Sequence, residues 1–195
     1  MEELTLLGER AVQAKYELQR MTTEKKNEVL EAVAEALIQN TEYLLLENHK
    51  DLERGIANQM NPGLVDRLRL TKERIAGMAE GIRQIVKLPD PVGEILDDYE
   101  AENGLHIVKK RVPMGVIGII YESRPNVTAD AFGLCFKSGS AVILKGGSDA
   151  IRSNMAITKV IQDAVVRKGV DPYVIQLIES TDRSVVNEFM KMKQY

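Results

Sequence analysis

The fold of this chain is decided by residues 111–153, which read RVPMGVIGIIYESRPNVTADAFGLCFKSGSAVILKGGSDAIRS. Two apolar runs stand out, Val116–Ile120 and Ala141–Leu144, and the segment between them can form a helix. A turn with two glycines and another helical segment follow the second run. This order of strand, helix, strand, turn and helix predicts an α/β fold, a parallel sheet with helices on both faces. Such sheets bind ligands beyond the carboxyl ends of their strands, so functional residues are expected just after the two apolar runs.

The residues before this stretch predict a series of helices. Over residues 2–20, apolar side chains recur at the three- and four-residue spacing of one helical face. Similar spacing behind threonine and asparagine caps predicts further helices over residues 23–39, 41–52, 65–70 and 72–86, with a loop over 55–63.

The clearest internal boundary is LPDPVG, residues 88–93, because two prolines in three residues exclude a regular helix. A β-hairpin is predicted next, with strands over Glu94–Tyr99 and Leu105–Val112. Its turn is Asn103-Gly104, since Asn-Gly favours the positive φ values of a tight turn. Residues 100–102 leave the loop length open. His106 is interpreted as a surface residue of this hairpin rather than as a catalyst.

The chain after residue 127 predicts alternating helices and strands. A crossover helix is expected over 128–137, and the rest are a helix over 149–168, a strand over 173–178 and a last helix from Thr181 or Asp182 onward. A right-handed crossover returns to its sheet to pair again. The final helix has no following strand, so we expect an incomplete sheet and a truncated sequence.

The composition excludes several classes of function. The 195 residues carry 26 basic and 29 acidic side chains, a net charge of -3, which argues against a nucleic-acid partner. No apolar run approaches the ~20 residues that span a bilayer, and the acidic N-terminus does not resemble a signal peptide. The single cysteine excludes an internal disulfide, and one cysteine with two histidines argues against a zinc cluster. We therefore expect a cytoplasmic protein with no metal and no membrane partner.

The turn Lys145-Gly146-Gly147-Ser148 fits a cofactor site physically, although neither the G-x-G-x-x-G fingerprint nor a P-loop is present. The lysine ends a strand, the glycines would let a ligand approach the backbone, and the next helix would present free N–H groups to an anion. The alternative is an ordinary strand-to-helix turn with a solvated lysine.

Three features after the first strand and within the crossover helix also have two interpretations. Asn126 can donate to a developing oxyanion or can cap the helix near Thr128. The cluster Glu122-Ser123-Arg124 can hold a substrate or can be surface charge. Cys135 lies between apolar neighbours and is interpreted as inert packing rather than as a nucleophile.

The run from Val112 to Asn154 closely resembles the γ-glutamyl phosphate reductase family, also called glutamate-5-semialdehyde dehydrogenases, of the aldehyde dehydrogenase superfamily. The resemblance extends over the whole chain, including LPDPVGEIL at 88–96 and KMKQY at 191–195. It implies a Rossmann-type aldehyde-dehydrogenase fold and NADPH-dependent reduction of L-glutamate 5-phosphate to L-glutamate 5-semialdehyde, in proline biosynthesis. It also implies a homo-oligomer.

On the substrate side, Pro125-Asn126 matches the place of the superfamily's oxyanion-hole asparagine. Ser123 and Arg124 precede it where an aromatic residue is usual, so the resemblance implies a more polar pocket with Arg124 as an anion partner. On the cofactor side, Lys145 matches the lysine that reaches the adenosine ribose.

The resemblance extends to the residues that follow Lys145. Gly146 and Gly147 belong to the same implied cofactor site. Ser148 stands where NAD-preferring relatives commonly carry Glu, and a neutral residue there tolerates the 2′-phosphate of NADP(H).

The resemblance also implies a division of the chain. Residues 1–93 would be the helical part of the cofactor domain, 94–112 the hairpin of an oligomerisation arm, and 113–195 a βαβαβα part of the NADP-binding domain. The family's cysteine nucleophile lies on a downstream segment that nothing here matches, so the catalytic domain is expected to be absent and these residues alone inactive. The alternative is a non-catalytic short paralogue that binds a nucleotide or a partner subunit.

Overall fold

The computed structural model describes residues 2–195. Its elements, in chain order, are α1 (Glu2–Leu18), α2 (Thr23–Gln39), α3 (Thr41–Ala57), α4 (Pro62–Leu68), α5 (Lys72–Lys87), β1 (Ile95–Glu100), β2 (His106–Lys110), β3 (Val116–Ile120), α6 (Asn126–Lys137), β4 (Ala141–Lys145), α7 (Ile151–Arg167), β5 (Ile175–Leu177) and α8 (Ser184–Met190). Within residues 2–195, no helix has both the length and the apolar character needed to cross a membrane.

Strands β3, β4 and β5 form a parallel sheet in that order, with β4 in the middle. All five residues of β4 are buried, which explains why this strand is apolar up to its last residue. Right-handed crossovers that advance in one direction place α6 and α7 on the same face of the sheet. The prediction of an α/β fold with a parallel sheet is confirmed.

Helices α1 and α8 cover the opposite face. The residues Gly118, Ile143 and Gln176 are in register across the three strands and point to that side. The Gln176 amide nitrogen donates to the carbonyl oxygen of Leu7 in α1 at 2.8 Å. A Cβ on Gly118 would lie 2.8 Å from the Phe189 ring of α8, so only glycine admits the ring. Helices on both faces are therefore confirmed.

Several element boundaries differ from those that the sequence predicts. The strand predicted over 173–178 shortens to β5, because Asp171 accepts a hydrogen bond from the N–H of Tyr173 at 2.8 Å and starts a 3₁₀ turn over Pro172–Val174. A second 3₁₀ turn, Ser148–Ala150, precedes α7. The loop predicted over 55–63 is shorter, since α3 continues to Ala57 and Asn61 caps α4.

The predicted hairpin is present as the antiparallel pair β1–β2. Glu100 pairs with His106, so the loop spans residues 101–105, and Gly104 has φ +81°. The N–H of Gly104 donates to the carbonyl oxygen of Ala101 at 2.8 Å. Apolar side chains remain exposed on this hairpin, namely Ile95, Leu96, Tyr99, Leu105 and Val108. The division of the chain at residues 93 and 112 stays a prediction.

A buried ion pair ties the LPDPVG segment to the helices. The Nζ of Lys26, which is 1% exposed, lies 2.8 Å from Asp90 Oδ2. Asp90 also accepts from Thr23 Oγ1 and from the N–H of Val92, each at 3.0 Å. Burial by itself raises the pKa of Asp90, but these donors outweigh it and hold the pKa below the ordinary value.

We expect Lys26→Met to lower the free energy of unfolding by about 3 kcal/mol, because it leaves a buried carboxylate without its cation. Urea denaturation measures the change. Lys25→Met is the matched control, since Lys25 forms an exposed pair with Glu28 and its loss should be barely measurable.

The pH dependence of this stability difference tests whether the ion pair is its cause. The Asp90 pair stabilises the fold above the ordinary carboxyl pKa of about 3.9, and this contribution is lost as pH falls through the lowered pKa. The difference between wild type and Lys26→Met should therefore shrink on acidification. If the two proteins still differ in stability below the pKa of Asp90 in both the folded and the unfolded state, Lys26 acts through packing instead.

Candidate cofactor and substrate site

A cavity of about 490 Å³ opens at the carboxyl ends of β3 and β4. Six residues that the sequence and the family resemblance single out line it together: Ser123, Arg124, Lys145, Gly146, Gly147 and Ser148. Residues of two further segments also line it, namely Met60, Leu64, Arg67, Thr181, Arg183 and Val186. The position agrees with the rule that ligands bind beyond strand ends in such sheets. We call this space the strand-end cavity.

Lys145 is the buried cation of the strand-end cavity. Its residue is only 5% exposed, and its Nζ donates to the carbonyl oxygen of Gly146 at 3.0 Å. No carboxylate oxygen within residues 2–195 lies within 4.0 Å of this nitrogen. Burial lowers the pKa of Lys145. The alternative of a solvated lysine is therefore wrong, because the ammonium group is desolvated and has no counter-ion.

The two glycines after Lys145 are required by protein side chains. A Cβ on Gly146 would collide with the amide nitrogen of Asn154 and meet the Tyr121 ring at 3.1 Å. A Cβ on Gly147 would lie 2.6 Å from Ser123 Oγ. The absence of a side chain at both positions is therefore explained by packing within the protein, and the approach of a ligand to this backbone, which lines the strand-end cavity, stays a prediction.

A buried hydrogen-bond chain fixes the wall behind these glycines. The hydroxyl oxygen of Tyr121 lies 2.7 Å from Thr128 Oγ1. The hydroxyl of Thr128 in turn donates to Asn154 Oδ1 at 3.2 Å. Burial raises the pKa of Tyr121 to about 12, so its hydroxyl stays protonated at neutral pH. These hydrogen bonds join the end of β3 and the first turns of α6 and α7 into one rigid surface.

The start of α7 is occupied by a carboxylate of α3. Asp51 is fully buried and accepts from both the N–H and the hydroxyl of Ser153, at 2.8 and 2.7 Å, and from the N–H of Arg152 at 3.3 Å. Burial raises the pKa of Asp51, although these donors oppose the shift. The expectation that α7 presents free N–H groups to a ligand anion is therefore wrong for these two groups.

Arg54 connects this carboxylate to the glycine turn. Its guanidinium lies 2.9 Å from Asp51 Oδ1 and donates to the carbonyl oxygens of Ser148 and Asp149 at 2.8 and 3.1 Å. The backbone after Gly147 is thus held by α3. A sequence pattern gives no sign of this contact, since the residues lie more than 90 positions apart.

Asn126 lies outside the strand-end cavity. It lines a neighbouring cavity of about 550 Å³, which shares Arg67 and Arg124 with the first. Asn126 is the first residue of α6, and its amide nitrogen donates to Asp130 Oδ2 at 3.1 Å. The capping alternative is wrong, because Pro125 occupies the cap position and no side chain caps this helix.

Cys135 belongs to the core. It is 5% exposed and lines neither of these cavities. Burial raises the pKa of its thiol to about 11, so the reactive thiolate is scarce at neutral pH. Within residues 2–195, no group of three or more His, Cys, Asp or Glu side chains is arranged to hold a metal ion.

Comparison with known proteins shows what the chain is similar to. The sequence profile of the aldehyde dehydrogenase family matches residues 2–195. Over all 195 residues the chain is 49% identical to the gamma-glutamyl phosphate reductase of Clostridium botulinum (strain Eklund 17B / Type B), and 53% identical to that of Lachnospira eligens. In both cases it spans 47% of the relative's length, so it covers about half of the proteins it matches.

Solved structures agree with this similarity. The crystal structure of gamma-glutamyl phosphate reductase from Thermotoga maritima matches with a TM-score of 0.96 and 39% identity, over 99% of this chain and 47% of that one. The Saccharomyces cerevisiae gamma-glutamyl phosphate reductase matches with a TM-score of 0.86 and 27% identity, over 95% of this chain and 53% of that one.

We expect Gly146→Ala to lower the free energy of unfolding by about 2 kcal/mol, since the new methyl group displaces Asn154 from a packed position. The control is Gly77→Ala, an exposed helical position with no atom within 4 Å, which should stabilise the protein by about 0.5–1 kcal/mol. Thermal and urea unfolding measure both. Adding Asn154→Ala should recover part of the loss, and the absence of any recovery would contradict the collision.

Proposed function

The chain belongs to the aldehyde dehydrogenase family, and from this premise we propose that it is the cofactor-binding part of a reductase. The reaction is the NADPH-dependent reduction of L-glutamate 5-phosphate to L-glutamate 5-semialdehyde, with release of phosphate, in the cytoplasm. The observation that carries the proposal is identity of 49% and 53%, along the entire chain, to relatives named gamma-glutamyl phosphate reductase.

The strand-end cavity suits an anionic dinucleotide. NADPH, when bound, supplies the hydride. Lys145 is the residue that would bind it, because its buried ammonium lacks a counter-ion and a ribose hydroxyl or a phosphate would provide the missing acceptor. Ser148 is exposed and neutral three positions later, so it does not repel a 2′-phosphate. Arg54 would keep this backbone in place through Ser148 and Asp149.

Asn126 and Arg124 form the proposed substrate side. Asn126 is exposed at the start of α6 and can turn from Asp130 to donate to the acyl oxygen as negative charge develops on it. Arg124 lines both cavities and would pair with an anionic group of the substrate. A thiolate that attacks the acyl phosphate forms a thioester and expels phosphate. Cys135 is too deeply buried for this step, so we assign it to a cysteine in the half of the relatives that the chain does not match.

We propose that the protein assembles with further copies of itself through the β1–β2 hairpin. Ile95, Tyr99 and Leu105 are each about half exposed on this two-stranded element, at 57%, 49% and 58%. An isolated hairpin with such a surface is only marginally stable in water, and burial against a second copy would remove the apolar side chains from solvent.

The function is tested by assaying the complete protein that contains this chain. We expect turnover of L-glutamate 5-phosphate with NADPH, and we expect Asn126→Ala to lower kcat by about 10²–10³-fold because an oxyanion donor is lost. Asn187→Ala, on the exposed side of α8, is the matched control and should leave kcat unchanged. An unchanged kcat in Asn126→Ala would remove the oxyanion role. A wild-type protein without turnover would favour the non-catalytic alternative.

Cofactor choice is tested at Ser148. We expect Ser148→Glu to raise the KM for NADPH about tenfold more than the KM for NADH, because the new carboxylate repels the 2′-phosphate. Ser148→Gln has the same size without the charge and should affect the two KM values alike. Steady-state kinetics with both cofactors measure the ratio, and equal changes in Ser148→Glu would contradict the proposed place of the 2′-phosphate.

A further inference from the structure

The cavity beside the strand-end cavity is rich in arginine. It is lined by Asp66, Arg67, Arg69, Leu70, Arg74, Gly77, Met78, Arg124, Pro125, Asn126 and Asp130. These residues come from the end of α4, the turn after it and the first half of α5, and from the segment that leads into α6, so two segments distant in the sequence contribute to one opening. Four of the lining residues are arginines and two are aspartates.

The charges of this cavity do not cancel. Arg74 is neutralised locally, because its guanidinium lies 3.1 Å from Asp66 Oδ1 and also donates to the carbonyl oxygen of Arg69 at 2.7 Å. Arg67 and Arg124, by contrast, form no ion pair with any carboxylate in residues 2–195. Burial raises the pKa of Asp130, whose carboxyl group accepts a hydrogen bond from the amide nitrogen of Asn126. The cavity therefore has an excess of positive charge that is available to a ligand.

Arg67 and Arg124 line both cavities and so mark the place where they meet. On one side lies Lys145, the proposed cofactor residue, and on the other lies Asn126, the proposed oxyanion donor. The planar guanidinium groups of Arg67 and Arg124 have unused N–H donors. Each guanidinium can donate two parallel hydrogen bonds to the oxygen atoms of a phosphoryl group.

We propose that Arg67, together with Arg124, binds the phosphoryl group of the acyl phosphate substrate at the junction of the two cavities. Arg67 comes from α4, a helix to which neither the sequence pattern nor the family resemblance assigned a role. The proposal rests on the proposed function in naming an acyl phosphate, whereas the site itself rests on the arginines and would bind a free phosphate in the same way.

The first test uses the reverse reaction of the complete protein, in which inorganic phosphate is a substrate. We expect Arg67→Gln to raise the KM for phosphate by about 10- to 100-fold, the loss expected for hydrogen bonds to a charged group, with a much smaller change in the KM for NADP⁺ and an unchanged Tm. The KM of Arg67→Lys for phosphate should lie between those of the wild type and Arg67→Gln, because lysine keeps the positive charge but cannot donate two parallel hydrogen bonds. Arg167→Gln, an exposed arginine at the end of α7, is the charge-matched control. An unchanged KM for phosphate in Arg67→Gln would overturn the inference and leave the reductase function intact.

The second test does not require turnover. Inorganic phosphate is titrated into the complete protein, as the wild type and as Arg67→Gln, with thermal unfolding as the readout. At about ten times its dissociation constant, phosphate should raise the Tm of the wild type by about 1–3 °C and have little effect on the variant. If the complete protein shows no turnover but this difference persists, the anion site stands and the reductase function fails. Equal responses of wild type and variant, or no response in either, would overturn the site.

Discussion

Two segments that are far apart in the sequence, α3 and the start of α7, meet at the carboxylate of Asp51. The side chain is fully buried on α3, and it accepts hydrogen bonds from the first turn of α7 and pairs with Arg54. Removing it would leave the N–H of Ser153 buried without a partner and would release Arg54 from the backbone at Ser148. The geometry of the strand-end cavity therefore depends on a helix whose own side chains are absent from the cavity wall.

Buried polar contacts also join the N-terminal helices to the elements that carry the site. Helix α2 is fixed to the LPDPVG segment by the buried pair of Lys26 and Asp90, and Lys26 also reaches the carbonyl oxygen at the end of α6, 3.3 Å away at Lys137. Lys137 in turn donates to Asn27 Oδ1 at 2.6 Å. Buried charges of this kind are costly unless each has a partner, so the loss of any one of these contacts is expected to destabilise the interface.

The sequence predicts the features that local physics controls. Apolar runs of four or five residues indicate buried parallel strands, and Asn103-Gly104 indicates the hairpin, because each signal depends on neighbours within a few positions. The contacts that shape the site have no such signal. Gly146 and Asn154 lie eight positions apart but on different elements, and Asp51 and Ser153 are separated by 102 positions.

The residues of the site likewise could be predicted only where their signal is local. Lys145 and Ser148 could be proposed from their place after a strand, whereas Arg67 could not, since it joins them only when α4 folds against the end of the sheet. The glycines have an explanation that the sequence could not show, because Asn154, Tyr121 and Ser123 occupy the space where their side chains would lie. Residue type at a turn thus indicates that space is limited, and only the folded structure shows what limits it.

The buried ammonium of Lys145 has a thermodynamic consequence. Desolvation favours its neutral form, while an anion bound beside it favours the charged form again. Occupation of the cavity by an anion at alkaline pH is then accompanied by the uptake of a proton from the buffer. Above the lowered pKa, the measured heat of binding should vary with the ionisation enthalpy of the buffer, and the apparent affinity should decrease as pH rises. Above that pKa, one lysine without a counter-ion would thus couple the binding of an anion to the uptake of a proton.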